Sequence, residues 1–362
     1  MNAEFMQALS DLEKERGINS EILIDAVENA LVSAYRRNYG TSNNVRAEVD
    51  RETGEIQIYA SKSVVDEVEN QHSEIALEDA RKINILYEVG DVLEEEVKPK
   101  NFGRIAAQTA KQVVVQRIRE AERGVIYEEY VEKENEVLTA IVQRVEKSGA
   151  YVELGKTDGL LAPNETIPGE TFGSSDRIKV YVLEVRKTNK GPQVLVSRTH
   201  PGLVKRLFEL EVPEIQSGVV QIRSIAREAG FRTKVAVSTN DQQVDPVGAC
   251  VGQRGVRVER IVGELHNEKI DIIEWDADSA VYIAKALSPA KVLMVYINET
   301  EKAAKVIVPD NQLSLAIGKE GQNARLAAKL TGWKIDIKNQ SQAEEAMENV
   351  YAHEDELIEE EV

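Results

Sequence analysis

The sequence predicts an α+β multidomain chain: an N-terminal α/β domain, a small OB-fold β-barrel, and two tandem copies of one helix-and-sheet unit. Three observations carry this. Apolar periodicity is helical at first, strand-like from about residue 132 to 199, and mixed thereafter. The stretches CVGQRGVRVER (250–260) and AIGKEGQNARL (316–326) each run a small–apolar–Gly-x-x-Gly segment into an apolar–basic one. Each is followed, 17 and 16 residues after its first glycine, by the tetrapeptide Lys-Ile-Asp-Ile, at 269–272 and 334–337. With 22 glycines in 362 residues, chance yields about one G-x-x-G, so the repeated surroundings and not the glycines carry the signal.

The first segment, 1–125, opens with two helical patterns. In NAEFMQALSDLEKERG, Phe5, Leu9 and Leu12 share a face. The next runs from an N-cap at Ser20 to Gly40, with Leu23, Val27, Ala30, Leu31 and Ala34 at i, i+3, i+4, i+7 spacing. VRAEVD and EIQIYAS alternate around Thr53 and Gly54 as a hairpin, and DVLEEEV is a further strand. FGRIAAQTAKQVVVQRIREAERG reads as a long helix stopping at Gly124, with Lys111, Arg117, Arg119 and Arg123 along it. From 132 to 199, five short strands separated by Gly, Pro and Asn turns suit a small closed barrel of the OB type.

The two copies occupy 201–277 and 278–344. Each reads helix, strand, strand, helix, G-x-x-G, helix, strand. Asp245 followed by Pro246 marks a helix start in the first, and Asp310 begins the short helix of the second. Residues 345–362 are acidic and poor in hydrophobes, which predicts a solvated or disordered tail.

Charge and composition narrow the function classes. The net charge of −18 is uneven: residues 1–130 hold 26 acids and 16 bases, 131–340 hold 28 and 29, and 341–362 hold nine acids and no base. The near-neutral middle permits local basic faces. No apolar run approaches the length of a membrane span. The polar, amphipathic start is unlike a signal peptide. The single cysteine, Cys250, excludes an intrachain disulfide and points to the cytoplasm.

A helix interrupted by G-x-x-G and resumed makes a tight turn, because glycine tolerates positive φ and lacks Cβ. The second helix aims free N–H groups and its dipole into that turn, which favours an anion. Sugar–phosphate backbone is a natural ligand, about four nucleotides per loop. The candidate RNA-binding residues are therefore Gly252, Gln253, Arg254, Gly255 and Arg257 in the first copy, with Arg260 flanking, and Gly318, Lys319, Glu320, Gly321 and Arg325 in the second. Glu320 would repel phosphate and is expected to face away. The competing reading is that both glycine pairs only punctuate two helices. Val251 and Ile317 read as core residues.

The order of barrel and two G-x-x-G units behind an acidic α+β domain resembles the NusA family of bacterial transcription factors. The stretches that carry the resemblance are VSRTHPGLVKRLFELEVPEI, DPVGACVGQRG, EKIDII, ALSPAKV and VPDNQLSLAIGKEGQNARLAAKLTGWKIDI. It implies an N-terminal domain that binds RNA polymerase, a barrel of the ribosomal S-one type, and two tandem KH domains binding nascent single-stranded RNA. It departs from some members in having a short acidic tail where they carry long acidic repeats. Tyr151 stands where such barrels often present an aromatic for RNA stacking.

Enzymatic signatures are missing. His72, His200, His266 and His353 are scattered without metal-ligand spacing, and no G-x-x-x-x-G-K-[ST] loop occurs. Cys250 sits in an apolar helix and reads as a packed small residue. The expectation is a cytoplasmic, monomeric, non-enzymatic RNA-binding regulator without metal or cofactor. It would dock on core polymerase through residues 1–125, hold nascent RNA, and act with other elongation factors in pausing, termination and antitermination. The alternative is an RNA-processing or ribosome-assembly accessory protein using the same modules.

Overall fold

The computed structural model describes residues 6–7, 11, 13–14, 19–39, 45–70, 73–97 and 102–345. The expected first helix face (Phe5, Leu9, Leu12), Gly40, His72, His353 and the acidic residues 346–362 lie outside them. Two compact units are present, Met1–Val125 and Ile126–Val362.

In the first unit, helix α1 (Ser20–Tyr39) buries Leu23, Ile24, Val27, Leu31 and Tyr35. Its N-cap is Asn19 and not the expected Ser20. Ser20 is already helical, and the Asn19 side chain accepts from the Glu21 N–H at 2.8 Å. The helix face meets a sheet of β1 (Val45–Val49), β2 (Ile56–Val65), β3 (Glu74–Ala76) and β4 (Val92–Glu96). β1 and β2 form the expected hairpin, with Val49 opposite Ile56. At its turn Asp50 accepts from the N–H groups of Glu52 and Thr53, and Gly54 takes φ +67°. β3 and α2 (Leu77–Ile83) had no counterpart in the sequence reading, being too short to show a period.

Helix α3 (Phe102–Val131) does not stop at Gly124. Gly124 keeps helical backbone, and a Cβ there would meet nothing within 4 Å. The final turn of α3 instead contributes to the second unit, where buried Tyr130 donates to the Leu154 carbonyl at 2.8 Å.

The second unit begins with the closed barrel β5 (Val137–Glu146), β6 (Gly149–Glu153), β7 (Asp158–Leu161), β8 (Arg177–Thr188) and β9 (Gly191–Ser197), ordered β5-β6-β7-β9-β8. Alternate inward residues Ala140, Val142, Val152, Leu161, Val180, Val182, Val194 and Val196 fill it. Gly149 is demanded by space: a Cβ would stand 2.3 Å from the Leu161 carbonyl oxygen.

Two repeats with the same three-stranded sheet topology follow. The first has α4 (Pro201–Glu211), α5 (Pro213–Gln216), β10 (Val220–Glu228), β11 (Arg232–Thr239), α6 (Pro246–Val251), α7 (Val256–Glu264) and β12 (Lys269–Glu274). The second has α8 (Ser279–Ala286), β13 (Met294–Asn298), β14 (Ala303–Val308), α9 (Leu313–Ile317), α10 (Gln322–Thr331) and β15 (Lys334–Asn339). In each, the first strand pair is antiparallel and the closing Lys-Ile-Asp-Ile strand joins in parallel.

Shared cores and buried ion pairs fasten these modules in series. Ile167 and Tyr181 of the barrel belong to the core of α4 and β11. Ala226, Ala236 and Ile273, on the face of the first repeat's sheet away from its own helices, share a core with Tyr282, Ile283, Leu287 and Leu326 of the second repeat. Each fully buried Leu or Ile in such a seam contributes about 1.5–3 kcal/mol. Arg198, 1% exposed, forks onto Glu170 and bonds the Glu264 carbonyl, tying the barrel to the first glycine-turn repeat. Buried Arg227 pairs with buried Glu268 at 2.8 Å, and Glu268 also accepts from Thr233 and from the Gly230 N–H. Buried Lys234 donates to Asp271 and to the Ser288 carbonyl beyond α8.

Candidate nucleic-acid interface

The two glycine turns have the same backbone. Gly252 (φ 74°, ψ 172°), Arg254 (φ 54°, ψ 25°) and Gly255 (φ 81°, ψ 4°) are matched by Gly318 (φ 76°, ψ 172°), Glu320 (φ 53°, ψ 26°) and Gly321 (φ 78°, ψ 12°). Three of four residues per turn therefore have positive φ: the last two are left-handed, at a cost to L residues of about 1–2 kcal/mol each, and ψ of 172° at Gly252 and 172° at Gly318 puts the first in a region essentially reserved for glycine. The central residue projects into solvent: Arg254 in one turn, Glu320 in the other. Gln253 and Lys319, just before them, are exposed too. No side chain caps the helix that follows either turn, so its first-turn donors stay available to an anion.

The paired glycines have different jobs. A Cβ on Gly252 would come within 2.7 Å of Arg257 Cγ, and one on Gly318 within 2.8 Å of the Asn323 backbone nitrogen. The first glycine lets the second helix approach. At Gly255 and Gly321 the nearest atoms are 3.7 Å and 3.5 Å away, at the ends of flexible side chains, so only positive φ selects glycine there. The G-x-x-G pattern alone predicts that Asp at any of the four abolishes RNA binding without unfolding; at Gly252 and Gly318 this close approach argues against an intact fold.

Three candidate side chains are committed to the protein itself. Half-buried Arg257 turns back from the loop, donating to Glu214 at 2.9 Å and to the Ala249 carbonyl at 2.5 Å. Asn323 holds the same place in the second turn and donates to the carbonyls of Leu287 and Ala316. Both staple the end of the helix before the turn. Arg325 donates to Glu228 at 2.8 Å and to the Glu320 carbonyl at 2.7 Å. Arg260 meets Glu211. Asn323 and Glu228 were missed from sequence. Register could have found Asn323, since it lies five residues after the first glycine, as Arg257 does.

On the barrel, Tyr151 in β6 lines a groove of about 490 Å³ with Arg144, Leu160, Lys190 and Gln193. The Arg144 guanidinium lies 4.0 Å from the Tyr151 ring centroid, a cation–π contact covering one ring face.

Cys250 is fully buried in α6, and burial pushes its thiol up to about 12, so it is packed and inert. His200 stacks on Tyr181 and caps α4 through Nδ1. Among the described residues no group of three or more His, Cys, Asp or Glu side chains could hold a metal ion. None of the described helices is long and apolar enough to cross a membrane.

A closed barrel joined to two units that each offer an uncapped glycine turn defines a multidomain nucleic-acid-binding protein. Family descriptions match it piece by piece: the NusA N-terminal domain over residues 4–124, the S1 RNA binding domain over 132–197, the NusA-like first KH domain over 198–275 and the NusA-like second KH domain over 279–345. The transcription termination/antitermination protein NusA of Bacillus subtilis (strain 168) is 60% identical over 345 residues, spanning 95% of this chain and 93% of that one. The protein of the same name from Halalkalibacterium halodurans is 59% identical over 345 residues, 95% of this chain and 90% of its own. A solution structure of the B. subtilis NusA N-terminal domain is 59% identical, covering 34% of this chain and 99% of that one, with a TM-score of 0.31. The chain belongs to the NusA family.

Proposed function

We propose that the chain is an RNA-binding transcription termination/antitermination factor: it docks on core RNA polymerase through residues 1–125 and holds nascent single-stranded RNA along the barrel and the two KH turns. The observation that carries this is the pair of uncapped G-x-x-G turns with matching backbone angles on modules fixed in series. Each turn alone is a weak site. Held by shared cores and by the Arg198, Lys234 and Arg325 contacts, they present a second site at high effective concentration to RNA already caught by the first. The relatives' names supply the transcriptional setting. By keeping RNA near the polymerase exit, such a factor favours pausing and hairpin termination, or antitermination with further elongation factors. It works as a cytoplasmic, non-enzymatic binder.

The test is co-purification of residues 1–125, and of the full chain, with core polymerase, together with single-stranded RNA binding by the full chain. Binding to both partners is expected. Full-chain binding to RNA with residues 1–125 partitioning onto ribosomal particles would favour a ribosome-assembly accessory instead.

A further inference from the structure

We propose a nucleobase site for single-stranded RNA on the outer face of the second KH sheet, away from the G-x-x-G turns; it rests on the RNA-binding reading above and adds a ligand surface to it. The internal repeat exposes this face. In the first unit Lys234 and Asp271 are register partners on β11 and β12. Their side chains meet at 3.0 Å beneath α8 and the Ser288 carbonyl, where the second unit covers the sheet. Lys305 and Asp336 are the same register pair on β14 and β15. Here both are exposed, and neither forms an ion pair among the described residues.

The residues around this pair differ in kind. Opposite Lys234 stands buried Ala226, small enough for a helix to pack on. Opposite Lys305 stands Tyr296, 48% exposed, beside Met294 at 55%. Tyr296, Lys305, Lys334 and Asp336 line an open groove of about 510 Å³. Strand alternation puts Lys334 and Lys338 on the same face as Asp336. An exposed ring flanked by ammonium groups is the recurring platform for single strands: the ring stacks a base and the cations take phosphates. Unpaired Asp336 adds selectivity. A carboxylate accepts from an exocyclic base amine, which cytosine and adenine carry and uracil lacks. Glu301, also in the groove, disfavours phosphate on its side, so the backbone runs along the lysines.

The test uses the full chain with labelled oligo(C) and oligo(U), longer than the roughly four nucleotides one turn holds. Tyr296→Ala is expected to weaken oligo(C) binding about ten-fold, with Tyr296→Phe restoring it. Asp336→Asn is expected to erase the preference for oligo(C) over oligo(U). Ultraviolet cross-links should map to residues 294–298 and persist when Gly255 and Gly321 are both replaced by Asp. Unchanged oligo(C) affinity in Tyr296→Ala, or cross-links that avoid 294–298, overturns the proposal. Those results with RNA still held at the glycine turns sink this site alone; loss of every RNA contact in the unaltered chain sinks the underlying reading.

Discussion

Arg325, in the helix after the second glycine turn, reaches across to Glu228 at the end of β10 in the first KH unit, 2.8 Å from Nε to Oε1. Gln322 donates to the same carboxylate at 2.9 Å. Glu228 thus joins one KH unit to the turn-bearing helix of the other. The Arg325 guanidinium holds its carboxyl below the usual carboxylate range. A depressed native pKa means the contact contributes fully above the unfolded value, near 4.3, and is lost as pH falls through the native one. The Arg325 side chain is half exposed, so its part in stability is modest. Glu228→Gln is therefore expected to leave melting nearly unchanged while loosening the two units. RNA long enough to span both turns should dissociate several-fold faster, and RNA that fills one turn should be unaffected. Stopped-flow dissociation with long and short RNA checks this.

The glycine pairs separate packing from strain. Gly255→Asp and Gly321→Asp meet only ordinary contacts with the ends of the Glu259 and Arg325 side chains, so the left-handed penalty of about 1–2 kcal/mol each is the main cost to the fold. A carboxylate there confronts phosphate directly. Their combination is expected to abolish binding at the turns with a cooperative fold intact. Gly252→Ala and Gly318→Ala add the clash with Arg257 and Asn323 to a backbone conformation essentially reserved for glycine and should lower the melting temperature more, although no charge is introduced. Calorimetry beside a binding titration distinguishes the two classes; equal melting temperatures would refute the assignment of the first glycine to packing.

The repeat was legible because glycine, the Asx caps and the Lys-Ile-Asp-Ile strands are local signals, and the barrel because its turns punctuate five alternating strands. The long helix was misjudged at Gly124, since a glycine ends a helix only when its backbone turns left-handed, and here continuing packing by Tyr130 keeps it helical. The direction of the basic side chains was not legible. Arg257 and Arg254 look equivalent in the sequence, yet tertiary partners, Glu214 and the Ala249 carbonyl, claim only Arg257. Partners 43 and 97 residues away, as for Arg257 with Glu214 and Arg325 with Glu228, leave no periodic trace.

Cys250 offers a check on the packing of the first KH unit. Its thiol lies fully buried, with burial raising it to about 12. A thiol-specific reagent at neutral pH should therefore react only at the rate of unfolding, and in denaturant at the ordinary rate of a free cysteine. Rapid labelling of the native chain would show that α6 opens locally, and with it the turn that begins at Gly252.

The exposed and the committed bases should part company under salt. Arg254 and Lys319 are exposed in the turns and form no ion pair among the described residues. Each is positioned to displace counterions from one phosphate. Removing either is expected to weaken RNA binding without sequence preference and to flatten the log–log salt dependence by roughly 0.7 per lost contact. Arg257 is held by Glu214 and a carbonyl, so Arg257→Ala should leave the salt slope unchanged. Its cost falls on the fold: Glu214 loses its partner, the helix ending at Val251 loses its staple, and the melting temperature drops. A salt titration of all three variants settles which bases face the RNA; a flattened slope for Arg257→Ala would place that side chain on the phosphate after all.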